Sequence, residues 1–493
     1  MRTNRSAFFL VFLTAIFLTA CSGVPNGSGG GGGGNQNATL VLTLTSSPSL
    51  NLANVSLVSA SAGITGITLN PSSGTAVSVT LTPTVYPVDL TRLQADTTLL
   101  GSVSIPAGNY TSASITFTAP VLTILNNTGV TLNSTCATGN LCQIVLPAGS
   151  AQITASPFPL TLASSQQKGL SLNLNLNRAL TLSSGALAIN FSATNALSAT
   201  ALPRVGTTSG LDLVEDFVGR VTAITSSAVT VQASDGISQQ FLLPASPVIE
   251  DPQNLCPALN LTCLVANQTL VSINATVNSA GTLTMVSADL LDTTPRDELE
   301  GTLISNGTVG QFFLVVSDKA VTTGNTTLAA AKPGDIFLVT LNNPAFLVDT
   351  GAFFNNPSLP SSTVTDLFTS ENSLENGQDV MVHVTAASGS AAGNDQSATA
   401  DEVRLRFTRT TGVVASVSGQ SFALTNASMP LLFSFSGNPT VETIPSSTNF
   451  DGVTDVNSLA AGNIVSVRAL LLKNAAFNFY AVKVRMQATQ LLP

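Results

Sequence analysis

The chain reads as all-β: an N-terminal β-sandwich followed by three small β-barrel or β-roll repeats. Three observations predict this. Val, Leu, Ile and Ala alternate with Thr and Ser along most of the 493 residues, which is the two-residue period of half-buried strands. Turn signals separate these runs at short intervals. A glycine-centred strand also recurs three times in the C-terminal half, each time heading a similar stretch. The composition, 44% hydrophobic and 9% charged, is the reverse of that of disordered chains.

Residues 1–20 come first. Arg2 and Arg5 precede an apolar run from Ala7 to Leu18 that ends in small residues, the order of a secretory signal. Ala7 to Ala20 is 14 residues, short of the roughly 20 that a membrane-crossing helix needs, so a cleaved signal is expected. Residues 21–38 hold Gly, Ser, Asn and Gln, with glycines from Gly29 to Gly34. Such a tether is a flexible coil with a reach of roughly 20–25 Å.

Residues 39–203 are expected to form the sandwich. Leu40–Leu44, Val77–Leu81 and Leu170–Leu176 alternate as strands, and one short helix is expected at Leu90–Leu99. Pro106, Gly108 and Tyr110 mark a tight turn that opens a strand, with Tyr110 as a structural corner rather than a binding platform. Residues 204–216 read as a polar linker.

The repeats occupy residues 217–292, 298–408 and 410–488. Their opening strands are Val218-Gly219-Arg220-Val221, Glu300-Gly301-Thr302-Leu303 and Thr411-Gly412-Val413-Val414. Each later has an alternating strand, beginning at Val271, Val380 and Val465. Gly377 and Gly462 stand three residues before the second and third of these, where the first copy has Gln268. Closing strands contain Ala288, Ala400 and Ala481, at 69, 99 and 69 residues from the opening glycine. The middle copy thus carries about 30 extra residues, mainly between Phe346 and Asn376. This insertion contains Phe353, Phe354 and Phe368; Phe353 and Phe354 form a candidate contact loop, the alternative being that the rings fold back on the barrel.

Of five cysteines, Cys136 with Cys142 and Cys256 with Cys263 form two close pairs. In an exported chain these read as loop-closing disulfides, each contributing on the order of 2 kcal/mol. A four-cysteine zinc site usually has two-residue spacings, whereas these are five and six. No metal site and no cofactor is expected.

No catalytic residue is assigned. The single histidine, His383, lies opposite Val380, Val382 and Val384 on a strand, and no Gly-x-Ser-x-Gly elbow accompanies it. Two carboxylate groups suit glycosidase-type chemistry: Asp289, Asp401 and Glu402, and a linker set of Asp292, Asp297, Glu298 and Glu300. Both read more simply as solvated charges. Asp451 to Asn457 lacks the order of a calcium loop and reads as a turn. With no Trp and three Tyr, Tyr86, Tyr110 and Tyr480, a broad aromatic glycan platform is not expected. The net charge of -9 and the absence of a basic run after the signal argue against nucleic acid as a partner.

Three resemblances add to this. Leu18-Thr19-Ala20-Cys21 resembles the lipobox of bacterial lipoproteins, which implies lipidation of Cys21 by two or three acyl chains; a single chain anchors only marginally. Ser22, rather than Asp, is similar to what outer-membrane lipoproteins show. Val88-Asp89-Leu90, Leu99-Leu100-Gly101, Ile105-Pro106-Ala107-Gly108-Asn109-Tyr110 and Val145-Leu146-Pro147-Ala148-Gly149 resemble an uncharacterised domain of bacterial lipoproteins. Relatives often carry aspartates where Asn173, Asn175 and Asn177 stand, which implies no cation role for that face here. The three repeats look like a second uncharacterised family of tandem all-β modules; Thr448-Asn449-Phe450 carries that likeness best.

The expected function is therefore a lipid-anchored envelope protein with a non-catalytic binding, adhesion or structural role. Its partners are the membrane, through Cys21, and an envelope or extracellular protein or glycan. The expected location is the cell envelope, at the outer membrane. The alternatives are a carboxylate-dependent hydrolase of an envelope or environmental polymer, and a carrier of an apolar ligand.

Overall fold

A computed structural model describes residues 37–48, 52, 54–203, 210–353, 368–390, 395–425, 438–445, 447–473 and 478–487. Cys21 and Phe354 lie outside these residues. The described chain is nearly all strand, as expected, and residues 36–493 form one compact unit. Among the described residues no helix is long and apolar enough to cross a membrane.

In the N-terminal domain a four-stranded sheet, Leu197–Leu202, Gln167–Asn175, Asn37–Ser47 and Thr98–Pro106 in that order, faces a larger sheet built on the 17-residue strand Val55–Pro71. Leu40, Leu42 and Leu44 from the first sheet and Ile64, Ile67 and Phe117 from the second share one core. The strand Asn37–Ser47 was expected to be half-buried, but both of its faces are covered. Val41, on the outer face, packs into the core of the first module, and Thr43 donates a hydrogen bond to Asp212 Oδ2 at 2.9 Å. Thr43 and Ser47 meet polar groups of the modules, Asp212 and Gln487, while Thr45 and Ser46 donate to Leu172 O and Leu90 O within the sandwich. The helix expected at Leu90–Leu99 shrinks to a single turn, Arg92–Gln94, with a strand starting at Thr98. Tyr110 is 2% exposed and donates to Pro106 O at 2.7 Å, a corner.

All three modules share one strand connectivity. The opening strand pairs with the second and with the penultimate strand, the second pairs with the third, and the third runs parallel to the closing strand, which pairs with the penultimate one. In the middle module, Glu298–Ser305, Gln311–Ala320, Ile336–Val348, Asp379–Ser388 and Ser397–Leu405 close completely. The first module runs from Asp212–Ile224 to Leu283–Asp292 and closes through a single residue pair, Leu242 with Thr284. The third runs from Thr408–Ser418 to Asn478–Met486. The first and third add a short strand beside the closing one, Val248–Glu250 and Asn449–Asp451. This five-stranded closed ring is the connectivity of the OB-fold, a small Greek-key barrel.

The recurring sequence features have structural causes. A Cβ on Gly301 would stand 2.1 Å from Val315 O, and one on Gly219 2.5 Å from Gln232 O. The opening strand must serve two neighbours at once, and there only a backbone without a side chain fits against the second strand. Gly301→Ala is therefore expected to lower stability by about 1–3 kcal/mol, measured as a fall in denaturant midpoint without loss of the Cys256–Cys263 bridge. Gly377 and Gly462 take φ of 85° and 90° and donate to Leu303 O and Val414 O. In the first module the equivalent donor is Asn267, at φ 63°, bonding to Val221 O, one residue before the Gln268 that counting from the alternating strand indicates. Asn is the side chain that tolerates this conformation best after glycine.

The closing alanines require a correction. Cross-strand pairing matches Ala288 with Ile273, Val403 with Val382 and Val484 with Val467. The counterparts of Ala400 and Ala481 in the first module are thus at Met285, three residues before Ala288, because each closing strand carries a bulge at the same place, at Val286, Asp401 and Val482. Matched residue counts concealed loops of unequal length.

The opening strand of the first module starts at Asp212, inside the stretch read as linker. Its charges mimicked linker polarity but are buried.

Candidate functional site

Cys136–Cys142 and Cys256–Cys263 are disulfide-bonded. Phe353 is 4% exposed and packs edge-on against Phe407, and Phe368 is 1% exposed against Phe346. The contact-loop expectation is thus corrected for Phe353: a ring of this size gains more by covering the barrel than by facing water. His383 is half-buried on its strand and hydrogen-bonds Asp401 through Nδ1 at 2.6 Å. Asp455 caps a short turn at Val456–Ser458, as the turn reading expected, but Asp451 is buried against Arg485 at 2.7 Å. Tyr86 is buried, with its hydroxyl on Leu99 O. Asn173 bonds Thr45, Asn175 caps a helical turn and Asn177 is buried.

The largest correction concerns the carboxylates. Asp289, Asp292, Asp297, Glu298 and Glu300 are all between 1% and 4% exposed. Rather than being solvated, Asp289, Asp292, Glu298 and Glu300 take part in ion pairs, and Asp297 accepts from Thr322 and Thr323. Burying a carboxylate is costly unless a cation or several donors meet it, and the few cations of this chain are placed where they do so.

Asp216 is the centre of that arrangement. It sits at φ 55° in a bulge of the opening strand of the first module. Its carboxylate meets Arg92 of the sandwich at 2.5 Å, Arg406 at 2.9 Å, Arg468 of the third module at 3.2 Å, and Arg409. Burial alone pushes this carboxyl up, and Arg468, Arg409, Arg406 and Arg92 together reverse that, holding it well below the usual carboxylate range. Arg406 also reaches Asp349, and Glu300 at 3.5 Å. Arg409 reaches Asp96 at 2.9 Å and Asp379 at 3.1 Å. Arg485 donates to the carbonyls of Leu93, Gln94 and Asp96 on the sandwich at 2.8–3.2 Å. Lys483 pairs with Glu215. Every domain contributes to one buried hub.

The shared connectivity shows how the hub selects its members. Counted from the opening glycine, Asp216 in the first module and Arg409 in the third stand at the same position, three residues before it, and they pair with each other. Ser287 and Lys483 are likewise equivalent, as are Asp289 and Arg485, by their cross-strand partners. At two of these three positions, Asp216 against Arg409 and Asp289 against Arg485, the first module presents an acid where the third presents a base. Two acidic or two basic copies would repel at this interface, so only this heterologous docking is favourable.

Beside the hub lies a cavity of about 300 Å³ between the first and third modules, with Gly351 and Phe407 of the second at its edge. Five carboxyls line it, Asp212, Glu215, Glu250, Asp289 and Asp451, against Arg468 and Lys483. Glu250 and Asp289 are register partners on neighbouring parallel strands. Burial pushes Glu250 up to about 7, and it pushes Asp289 well up in spite of Arg406. Glu250 Oε2 and Asp289 Oδ1 have no hydrogen-bond partner among the described residues. No cluster of His, Cys, Asp and Glu among the described residues is arranged to hold a metal ion.

Residues 37–202 match a domain of unknown function, DUF4382. The match covers the sandwich, including Arg92 and Asp96 of the hub, and stops before the modules. No curated protein matches the chain. Among solved structures, the chain is similar to a multidomain protein with nucleic acid binding domains from Streptococcus pneumoniae TIGR4, at 11% identity over 56% of this chain and 73% of that one. The TM-score is 0.11, and the likeness supports no conclusion.

Sequence reasoning missed Arg92, Asp96, Glu215, Asp216, Glu250, Arg406, Arg409, Arg468 and Lys483. A signal was present: in a chain with 9% charged residues, Arg404, Arg406 and Arg409 fall together at a module junction, and Lys483 and Arg485 alternate on one strand. Alternating charges on a strand ordinarily mark a solvated face; here that face meets another domain.

Proposed function

We propose that the chain is an exported lipoprotein, anchored by lipid at Cys21, that presents its four β-domains as one rigid body for non-catalytic binding in the cell envelope. The observation that carries this reading is the hub. Paired carboxylates are the raw material of a histidine-free hydrolase, and here Asp292, Glu298, Glu300 and Glu402 are engaged by Arg296, Arg92, Arg404 and Arg406. Groups held by arginines at domain junctions serve to position domains. The lipobox, the glycine tether and the paired cysteines support an address at the outer membrane, and the net charge of -9 disfavours nucleic acid.

The hydrolase alternative retains one supporting observation, the neighbouring Glu250 and Asp289 in a cavity. The carrier alternative needs an open barrel, and the interior of the middle module is filled by Leu299, Leu314, Phe337, Val339 and Val382.

The test is metabolic labelling with a fatty-acid analogue in a two-membrane bacterial host, combined with cross-linking on intact cells. The wild type is expected to take up label and to sediment with membranes, and Cys21→Ser to do neither. An unlabelled wild type would overturn the anchor. Failure of the anchored protein to cross-link to any envelope component would overturn the binding role.

A further inference from the structure

The cavity between the first and third modules has an unbalanced charge. Its two cations are already engaged, Lys483 by Glu215 and Arg468 by Asp216. Asp451 is engaged by Arg485, and Asp212 accepts from Thr43. Among the described residues Glu250 has no cation within ion-pair distance, and Asp289 has only Arg406, at 3.6 Å. Each keeps one buried oxygen without a donor, which is a costly arrangement. Both line the cavity.

The mouth has the opposite character. Val248 and Val286 line the same cavity and are 49% and 45% exposed, on the strands that carry Glu250 and Asp289. Acid lies below and an exposed apolar pair above. We propose that this cavity binds a small primary alkylamine, its ammonium between Glu250 and Asp289 and its alkyl stem against Val248 and Val286. An ammonium brings three donors and no acceptor, so one group satisfies both orphaned oxygens and supplies the missing counter-charge. A volume of about 300 Å³ is at the small end of ligand pockets and suits a stem of a few carbons. This rests on the binding-protein reading and names the ligand class for it.

The charged groups facing the pair are Asp212, Glu215 and Asp216 from the first module, Asp451, Arg468 and Lys483 from the third, and Arg404 and Arg406 near Asp289. Since burial pushes both carboxyls up, Glu250 to about 7, an entering ammonium favours their ionised forms and expels protons.

The experiment is calorimetric titration of the full chain in detergent with pentylamine, 1-pentanol and glucose. Pentylamine is expected to bind, with proton release shown by buffers of different ionisation enthalpy, and more tightly at pH 8 than at pH 6. Pentanol and glucose are expected not to bind. Glu250→Gln is expected to weaken pentylamine about 10- to 100-fold, with its melting curve reporting the fold. Val286→Lys, at an exposed position, places a competing cation at the mouth and is expected to weaken it at least as much. Absence of pentylamine binding, equal binding of pentanol, or unchanged affinity in Val286→Lys would overturn the proposal. None of these touches the Cys21 labelling result, so the two readings fail separately.

Discussion

Asp216→Asn is expected to lower the unfolding free energy by about 3–5 kcal/mol, the usual cost of removing one member of a buried ion network. The substitution is a clean test of charge. Asn keeps the volume, tolerates the φ of 55° at this position, and can still accept from Ser272 Oγ, now at 2.6 Å. What it removes is the negative charge shared by Arg92, Arg406, Arg409 and Arg468. Four guanidiniums then face one another across a junction of four domains. Chemical unfolding followed by intrinsic fluorescence and by near-ultraviolet dichroism is the measurement. The wild type is expected to unfold in one transition and Asp216→Asn in at least two, the sandwich separating from the modules. A single transition at the wild-type midpoint would show that the hub does not hold the domains together. The pH dependence has a definite sign. The folded carboxyl of Asp216 is held below its unfolded value, so its contribution is complete above about pH 4 and is lost as the pH falls through the folded value. Asp216→Asn should therefore flatten the acid limb of the stability profile.

Arg485→Met is the second large effect, expected at about 3–5 kcal/mol. Its guanidinium fills a slot between the third module and the turn at Arg92–Gln94 of the sandwich, donating to three carbonyls, to Thr97 Oγ1 at 2.5 Å and to Asp451 at 2.7 Å. Met covers similar apolar surface but withdraws these donors from the carbonyls, from Thr97 and from Asp451. Arg485→Lys retains the charge and loses the fork, so it should recover only part of the deficit. Adding Asp451→Asn to Arg485→Met should also recover part, since it removes the carboxylate that has lost its guanidinium but restores no donor to the carbonyls. Equal stability of Arg485→Met and wild type in a denaturant titration would remove this residue from the account of domain docking.

Much of the architecture was legible because it depends on local pattern. Alternation marked the strands, Gly219 and Gly301 marked the opening strands of the first two rings because a close backbone contact admits no side chain there, and the short cysteine spacings marked closed loops. Patterns that depend on what lies across an interface misled. The alternating Thr and Ser of Asn37–Ser47 read as a wet face, yet Thr43 meets Asp212. The acids from Asp292 to Glu300 read as solvated linker, yet they are buried. A charge on a strand looks the same in sequence whether water or an arginine of another domain satisfies it. Glu250 was not singled out at all, because its neighbour in space, Asp289, stands 39 residues away and only the parallel pairing brings them together.

By itself, then, the sequence determined an all-β chain of a sandwich and three related modules, with two closed cysteine loops, since periodicity, glycine placement and short-range spacing are local constraints. Only the tertiary structure decided which module faces which. The three rings share one connectivity, so their backbones cannot distinguish partners. The choice falls to Asp216 and Arg409, set at equivalent positions with opposite charge, and the same docking leaves Glu250 and Asp289 side by side in a cavity, with Arg406 at 3.6 Å from Asp289.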